Sequence, residues 1–367
     1  MTDLYQRSIE IILQHQSPNG AFIASPNFPT YHFCWFRDAS FVAYSMNLAG
    51  QHESSRRFHD WAASQVNARE QLILTSIQKV RAGETLLQSE FLHTRYRLDG
   101  QPDETGEWPN FQLDGFGTWL WALREHCRLS SQILPPKWRK AADLVAEYLC
   151  ELWPLPCYDC WEEFPDKVHP HTLAAIYAGL KAHTELSGID HQTVLDAIKK
   201  QLLQNASETG HFVKFSSSPD VDASLLGLSV PYAVFAPDDP LMLSTISQIE
   251  QTILRDGGLH RYTADTYYGG GAWILLSAWL GWYYKQLAQL NPALAESAAK
   301  KAEELEIWIK QQVGHAEKDG WLPEQVPQQV NNPAYYPEWV ARWGQIADPL
   351  LWSHANYIIF HSSPFSI

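Results

Sequence analysis

Apolar residues recur along this chain at helical spacing, in two kinds of segment that a single layer of helices cannot satisfy together. Residues 4–14 place Leu4, Ile9, Ile12 and Leu13 on one side; residues 138–149 do so with Trp138, Leu144, Val145, Tyr148 and Leu149; residues 194–203 do so with Val194, Leu195, Ile198, Leu202 and Leu203. A helix with one apolar stripe covers a core and faces water elsewhere. In contrast, SFVAYSMNLAG (40–50), TLAAIYAGL (172–180) and AWILLSAWLGWYY (272–284) are apolar almost all round, which suits helices enclosed by neighbours on every side. Gly50, Gly100 and Gly257 stand where helix caps or tight turns are needed. Strand-like pieces such as HFVKF (211–215) are short. The chain reads as all-α: about a dozen helices, with an inner buried set and an outer amphipathic set, forming a two-layered helical toroid.

No linker or low-complexity block divides the 367 residues, so one domain over 1–367 is expected. The formal net charge of −14 repels phosphate backbones and anionic lipid, which argues against nucleic acid and membranes and for a neutral small-molecule ligand. No stretch approaches the ~20 apolar residues of a membrane span. The opening MTDLYQRSIEIILQHQ lacks the basic start and small-residue cleavage site of a signal peptide. Five cysteines are an odd number for a disulfide framework, so reduced thiols and a cytoplasmic location are expected. The sequence carries no signal for an oligomeric state.

Aromatic residues make up 13% of the chain, with 16 Trp, 16 Tyr and 15 Phe. Such side chains suit a large core and equally suit stacking on sugar rings. Many of them share long loops with charges, at 18–38, 99–114, 154–171, 256–271 and 320–347, and loops of that length are usually functional. YHFCWFRDAS (31–40) sets Arg37 and Asp38 directly after Trp35 and Phe36. Burying either charge alone costs several kcal/mol, so both must be paired or face a wet pocket. GEWPNFQLDGFG (106–117) offers Trp108, Gln112 and Asp114 as hydroxyl partners beneath an aromatic lid.

YDCWEEFPDK (158–167) holds Glu162 and Glu163 behind Trp161, and DGWLPEQV (319–326) holds Glu324 behind Trp321. Two acids in apolar loops far apart in sequence are what glycoside hydrolysis requires: one protonated carboxyl for the leaving oxygen, one carboxylate for the other face of the sugar. An apolar shell keeps the donor protonated by raising its pKa. For each acid taken singly, a solvated or helix-capping carboxylate is the competing reading. GLHRYTADTYYGGGAW (258–273) adds Arg261, Asp265 and three glycines. No Lys-Ser/Thr follows the glycines, so close backbone approach explains them better than a phosphate cradle. CYDC (157–160) lacks both a second ligand pair and a βαβ context, and HPH (169–171) and His354 lack a partner cluster. Neither a metal nor a cofactor is expected.

Taken in order, YHFCWFRDAS, EWPNFQLDGFG, YDCWEEF, VDASLLGL, GLHRYTADTYYGGGAW, LPEQ and PLLWSHANY resemble glycoside hydrolase family 15, the glucoamylase family, over essentially the whole chain. The resemblance implies an (α/α)6 barrel, with six inner and six outer helices. It also implies an inverting exo-hydrolase that releases β-glucose from the non-reducing end of α-glucosides. Carried over residue by residue, it makes Glu162 the general acid and Glu324 the general base holding the attacking water, with carboxyl groups roughly 6.5–9.5 Å apart. In the family pattern Arg37, Asp38 and Arg261 bind hydroxyls of the terminal glucose, while Trp35, Trp108 and Trp161 wall the pocket. Glu163 resembles the position that contacts the leaving sugar, and Trp352, Ser353 and His354 resemble residues packed around the base.

Against that pattern, neither a starch-binding module nor an N-terminal β-sandwich is expected, and the aromatic segment QQVNNPAYYPEWVARWGQIAD (328–348) is longer. Tyr335, Trp339 and Trp343 are expected to close over the leaving-group side and reject long chains. A bare barrel of this kind resembles the isomaltose-hydrolysing, α-1,6-directed type, with maltose and trehalose as alternatives. A catalytically silent sugar-binding regulator is the reading from another class; a degenerate site would have lost some of Glu162, Glu324, Arg37, Asp38 and Arg261. A glycoside phosphorylase would need a cation beside the base, where LPEQV has none and only Arg342 is within reach.

Overall fold

The computed structural model describes residues 3–102, 108–206, 208–313, 320–327 and 330–363. Its helices are α1 (Leu4–Gln14), α2 (Phe36–Leu48), α3 (His52–Asn67), α4 (Glu70–Arg81), α5 (Asp114–Ser130), α6 (Pro136–Leu152) and α7 (Pro170–Ser187). They continue with α8 (Gln192–Asn205), α9 (Pro240–Thr252), α10 (Ile274–Leu290), α11 (Ala295–Gln311), α12 (Tyr336–Trp343) and α13 (Leu351–Ser362). Three two-stranded antiparallel ribbons pair β1 (Phe33–Trp35) with β2 (Arg95–Arg97), β3 (Leu254–Arg255) with β4 (Gly258–Leu259), and β5 (Ala272–Trp273) with β6 (Gln325–Val326).

The inner ring closes through successive contacts of α2, α5, α7, a 3-10 helix at Ala223–Leu228, α10 and α13, which returns to α2. Buried side chains cover nearly the whole circumference of α2, α7, α10 and α13, as their all-round apolar sequences require. The outer layer is α1 against α13, α3 against α2, α6 against α7, α8 against α7, α9 against the 3-10 helix and α11 against α10. α4 is an additional helix lying on α6.

Two expectations need correction. The sixth inner position is a 3-10 helix of six buried residues. Pro231 follows it closely, and proline removes a helical N–H and disfavours helix in the residue before it. HFVKF is not a strand: no ladder takes its amides, Phe212 N–H going to Thr245 Oγ1 at 2.9 Å, Val213 N–H to Asn205 Oδ1 at 3.1 Å and Lys214 N–H to the Asp220 carbonyl at 2.9 Å.

α5 and α7 approach at glycine. A Cβ on Gly117 would lie 2.4 Å from the Ala175 carbonyl oxygen, and one on Gly179 would lie 2.6 Å from the Gly117 carbonyl oxygen. No side-chain motion relieves a clash with backbone, so a methyl group there must separate the two helices. Gly117→Ala is expected to lower unfolding free energy by about 1–3 kcal/mol, the usual cost of overpacking. Urea denaturation should show a lower midpoint at unchanged slope; a wild-type midpoint would mean that the two helices yield freely.

Candidate active site

The inner helices begin where the aromatic loops end, so their N-termini bring those loops to one cavity of about 690 Å3. Trp35, at the end of β1, is also the N-cap of α2, so Arg37 and Asp38 occupy that helix's first turn and not a loop as the sequence suggested. Arg37 is 5% exposed. Its Nε lies 3.2 Å from Asp38, Nη1 donates to Gln112 Oε1 at 3.0 Å and Asp114 Oδ2 at 3.4 Å, and its Cζ stands 5.2 Å over Trp352. The cost of burying Arg37 and Asp38 is therefore met by pairing at the floor of a cavity. Burial lifts the Asp38 carboxyl to about 6 although Arg37 opposes the rise.

Glu162 sits in a turn organised by Asp159. Asp159 Oδ1 accepts the Trp161 and Glu163 amides at 2.9 Å each, and its carbonyl accepts the Glu162 amide at 2.9 Å. These bonds hold Glu162 at φ 68°, a left-handed conformation that costs a residue with Cβ about 1–2 kcal/mol. Glu162 Oε1 then accepts Trp35 Nε1–H at 2.8 Å and Gln112 Nε2–H at 2.9 Å. Gln112 thus relays Arg37 to Glu162.

Glu324 enters from β6's side of the cavity. Its amide donates to the Ala347 carbonyl at 2.9 Å, and the adjacent Gln325 pairs with Trp273. Tyr31 donates its hydroxyl to Glu324 Oε1 at 2.9 Å, and Tyr267 lies 2.8 Å from the Tyr31 oxygen. Oε2 has no hydrogen-bond partner among the described residues. Complete burial raises this carboxyl to about 8, while Tyr31 and Arg261 pull the other way. The apolar shell expected around the proton donor thus bears most strongly on Glu324. Tyr31 and Trp35 form an edge-to-face pair 5.6 Å apart, so two touching rings carry the two carboxyls.

Arg261 is buried between Trp161, Tyr267 and Trp273, each 5.3–5.4 Å from its Cζ. It donates from Nε to Asp265 Oδ2 at 2.7 Å and pairs again through Nη2, with Glu163 Oε1 at 3.5 Å. Tyr262 donates to Glu163 Oε2 at 2.6 Å, and burial raises the Glu163 carboxyl. Trp35, Trp108, Trp161, Trp352, Arg37, Asp38, Arg261, Glu162, Glu163 and Glu324 all line the cavity. Gln112 and Asp114 do not: they stand behind its wall, where the guanidinium of Arg37 engages Gln112 Oε1 and Asp114 Oδ2. Trp339, Trp343 and Arg342 from α12 reach the lining, whereas Tyr335 is 42% exposed outside it. Residues 328 and 329 of the proposed lid lie outside the described residues, as do 106 and 107 of the Trp108 motif.

The family model for Glycosyl hydrolases family 15 matches residues 1–360. The chain belongs to glycoside hydrolase family 15. It is 38% identical over 365 residues to the isomaltose glucohydrolase of Kribbella flavida, covering 97% of this chain and 91% of that one. A solved wild-type glycosidase superposes with TM-score 0.90 at 36% identity, over 98% of this chain and 95% of that chain, and a variant of a glycosidase has been solved in complex with glucose. A bacterial glucoamylase complexed with acarbose shares the fold, with TM-score 0.70 at 21% identity, over 98% of this chain and 55% of that one. Membership makes the chain a glycoside hydrolase, and the (α/α)6 barrel expected from the family is the ring described above.

The remaining family 15 motif residues serve as supports. His354 Nε2 accepts the Leu322 amide at 3.1 Å, its Nδ1 lies 2.9 Å from Ser8, and Ser353 donates to the Pro323 carbonyl at 2.8 Å, so α13 anchors the loop that carries Glu324. Burial depresses His354 to about 3, which keeps it neutral and able to accept. The three glycines owe their place to backbone crowding: a Cβ on Gly270 would lie 2.4 Å from the Asp265 carbonyl oxygen, and one on Gly271 2.4 Å from that of Val326. Burial raises Cys157 to about 12 and lifts Cys160 well above the usual thiol range, so CYDC holds inert thiols. Among the described residues no group of His, Cys, Asp and Glu is placed to hold a metal ion, and no helix is long and apolar enough to cross a membrane.

Sequence reasoning missed Tyr31 and Tyr267 as partners of Glu324, and Lys214 altogether. Lys214 Nζ is 2.6 Å from Asp222 and 3.3 Å from Asp159, all three buried, while Asp222 also accepts Trp161 Nε1–H at 3.0 Å. A lysine in the apolar run HFVKF was the available signal, since such a charge needs a distant acid. Lys214→Met leaves two carboxylates buried without their cation, so a loss of about 3–5 kcal/mol is expected in urea unfolding. The kcat should fall as well, because Asp159 shapes the turn of Glu162; unchanged kcat would remove Lys214 from the support of that turn.

Proposed function

We propose that this family 15 hydrolase is an inverting exo-acting α-glucosidase of the cytoplasm that releases β-glucose from short α-glucosides, isomaltose foremost. The observation that carries this reading is the pair of carboxyls in one cavity, each held by a ring of the touching Tyr31 and Trp35. The identity to an isomaltose glucohydrolase over most of both chains supports the α-1,6 preference, and the indole-lined mouth favours short substrates. Five unpaired cysteines, three of them buried, fit a reducing compartment.

In the proposed mechanism the terminal glucose occupies the buried floor, with hydroxyls on Arg37, Asp38 and Arg261. Both N–H donors on Glu162 go to Oε1, which leaves Oε2 to carry the proton. That proton passes to the glycosidic oxygen as its bond to C1 breaks. A water held on the free Oε2 of Glu324 attacks C1 from the opposite face and gives its proton to that oxygen. A carboxylate lifted toward neutrality accepts a proton more readily than an ordinary one, so the raised pKa of Glu324 suits a base. Its cost is that the carboxyl must first lose its own proton.

Glu162→Gln and Glu324→Gln are each expected to lower kcat by about a hundredfold or more while glucose still binds; near-normal turnover in either removes that role. Initial rates on isomaltose, maltose, trehalose and a long α-glucan, with the product anomer followed by NMR, test the whole reading. Isomaltose preferred and β-glucose first is the expected result. Equal rates on the polymer remove the restricted mouth, α-glucose first overturns inversion, and sugar phosphate formed with added phosphate would indicate a phosphorylase.

The pH profile provides an independent check. Tyr31 stabilises the ionised form of Glu324, so Tyr31→Phe disfavours that form and raises its pKa further. Because the base must be ionised, activity is lost as pH falls through this pKa. The acidic limb of kcat/KM should therefore move to higher pH in Tyr31→Phe; an unmoved limb would detach Glu324 from it.

A further inference from the structure

The cavity wall carries four guanidinium groups, and they differ in what occupies them. Arg37 is held by Asp38, Asp114 and Gln112, and Arg261 by Asp265 and Glu163. Arg95 is sandwiched 4.0 Å from Phe33 and 3.5 Å from Trp108, with Nη1 donating to the Thr30 carbonyl at 3.1 Å. Arg342 differs. It has no acidic partner among the described residues, even though Glu338 lies one turn earlier on α12. Its Cζ lies 4.9 Å from the Trp343 ring and 5.5 Å from the Trp339 ring, so indoles and not carboxylates steady its charge.

Position adds direction to this. Arg37, Arg261 and Glu324 are nearly inaccessible at the floor, whereas Arg342 is exposed and Trp339 and Trp343 are half-buried, which puts α12 at the rim. A substrate whose terminal glucose fills the floor has its leaving group at that rim. Stacked against indole, a guanidinium still presents its in-plane N–H edge, the geometry that matches a carboxylate or phosphate. In a chain of net charge −14, a cation at this place with no acidic partner among the described residues stands out against the overall sign.

We infer that Arg342, framed by Trp339 and Trp343, is a leaving-group subsite that favours α-glucosides whose released part carries an oxyanion, either a carboxylate or a phosphate ester. This rests on the exo-glucosidase reading and adds the charge class of the leaving group to it. The bond cleaved and the fate of its protons are those given above.

The test compares isomaltitol, whose leaving part is open-chain and neutral, with isomaltobionate, in which the same α-1,6 link leads to an open-chain carboxylate. At low ionic strength the kcat/KM of isomaltobionate should exceed that of isomaltitol by about tenfold, as a charge-assisted contact at a partly wet site allows. The ratio should fall toward one in Arg342→Gln, persist in part in Arg342→Lys, and shrink as salt is added. Isomaltose phosphorylated on its reducing unit provides the phosphate arm; a preference there and not for the carboxylate narrows the subsite to phosphate esters. A wild-type ratio near one in both arms, or a preference that survives Arg342→Gln, overturns the inference. Isomaltose hydrolysis by the wild type is read in the same assay, so failure of the glucosidase reading appears as no cleavage of any of these compounds.

Discussion

A guanidinium cannot be buried alone, and the arrangement of this site follows from how Arg37 avoids that. Its position in the first turn of α2 puts it against the first turn of α5, where Asp114 is fully buried, and against Gln112 just before that turn. Gln112 has its carbonyl oxygen occupied by Arg37 and directs its amide to Glu162. One cation thereby fixes the relative placement of two inner helices and one carboxyl. Replacing a buried charge network by apolar groups often costs a fold little, but removing one member costs several kcal/mol. Here every member also orients a group that faces the cavity.

The two carboxyls reach that cavity by opposite structural means. Glu162 stands on a strained turn held by Asp159, which is itself tied through Lys214 to Asp222. Glu324 stands on a short ribbon, held by backbone bonds and by α13 through Ser353 and His354. The environments differ accordingly: Glu162 accepts two N–H donors on one oxygen and is half-buried, whereas Glu324 accepts one phenol and is fully buried. Pairs of carboxyls made unequal in this way can divide acid and base work between them. Ring contacts hold the whole together, since Tyr31 touches Trp35, and Tyr267 touches both Tyr31 and Trp339 of the rim helix.

Much of this was legible in the residues. All-round apolar runs at 40–50, 172–180 and 272–284 have no stable alternative to enclosure, and each is an inner helix. Gly50, Gly100 and Gly257 all have positive φ, as sequence position at segment ends implied. Glu162, Glu163, Arg37, Asp38 and Arg261 were visible because charges in aromatic loops need partners or water. Gln112 and Asp114 were assigned to the cavity because sequence shows a polar side chain without showing what stands in front of it. Lys214 was invisible as a participant because its acids are 55 residues away at Asp159 and 8 away at Asp222, on opposite sides of a loop whose path the sequence does not state.

By itself, then, the sequence determined which segments are helical, which of them must be enclosed, and which residue types are available for acid–base chemistry on a sugar, because periodicity and the cost of bare charge are local properties. Only the tertiary structure decided the rest. It shortened the sixth inner helix to a 3-10 turn, moved Gln112 and Asp114 behind the wall, gave Glu324 and not its counterpart the deepest burial, and left Arg342 at the rim with no acidic partner among the described residues. Those outcomes depend on which groups meet across the ring, and desolvation and pairing exist only once they have met.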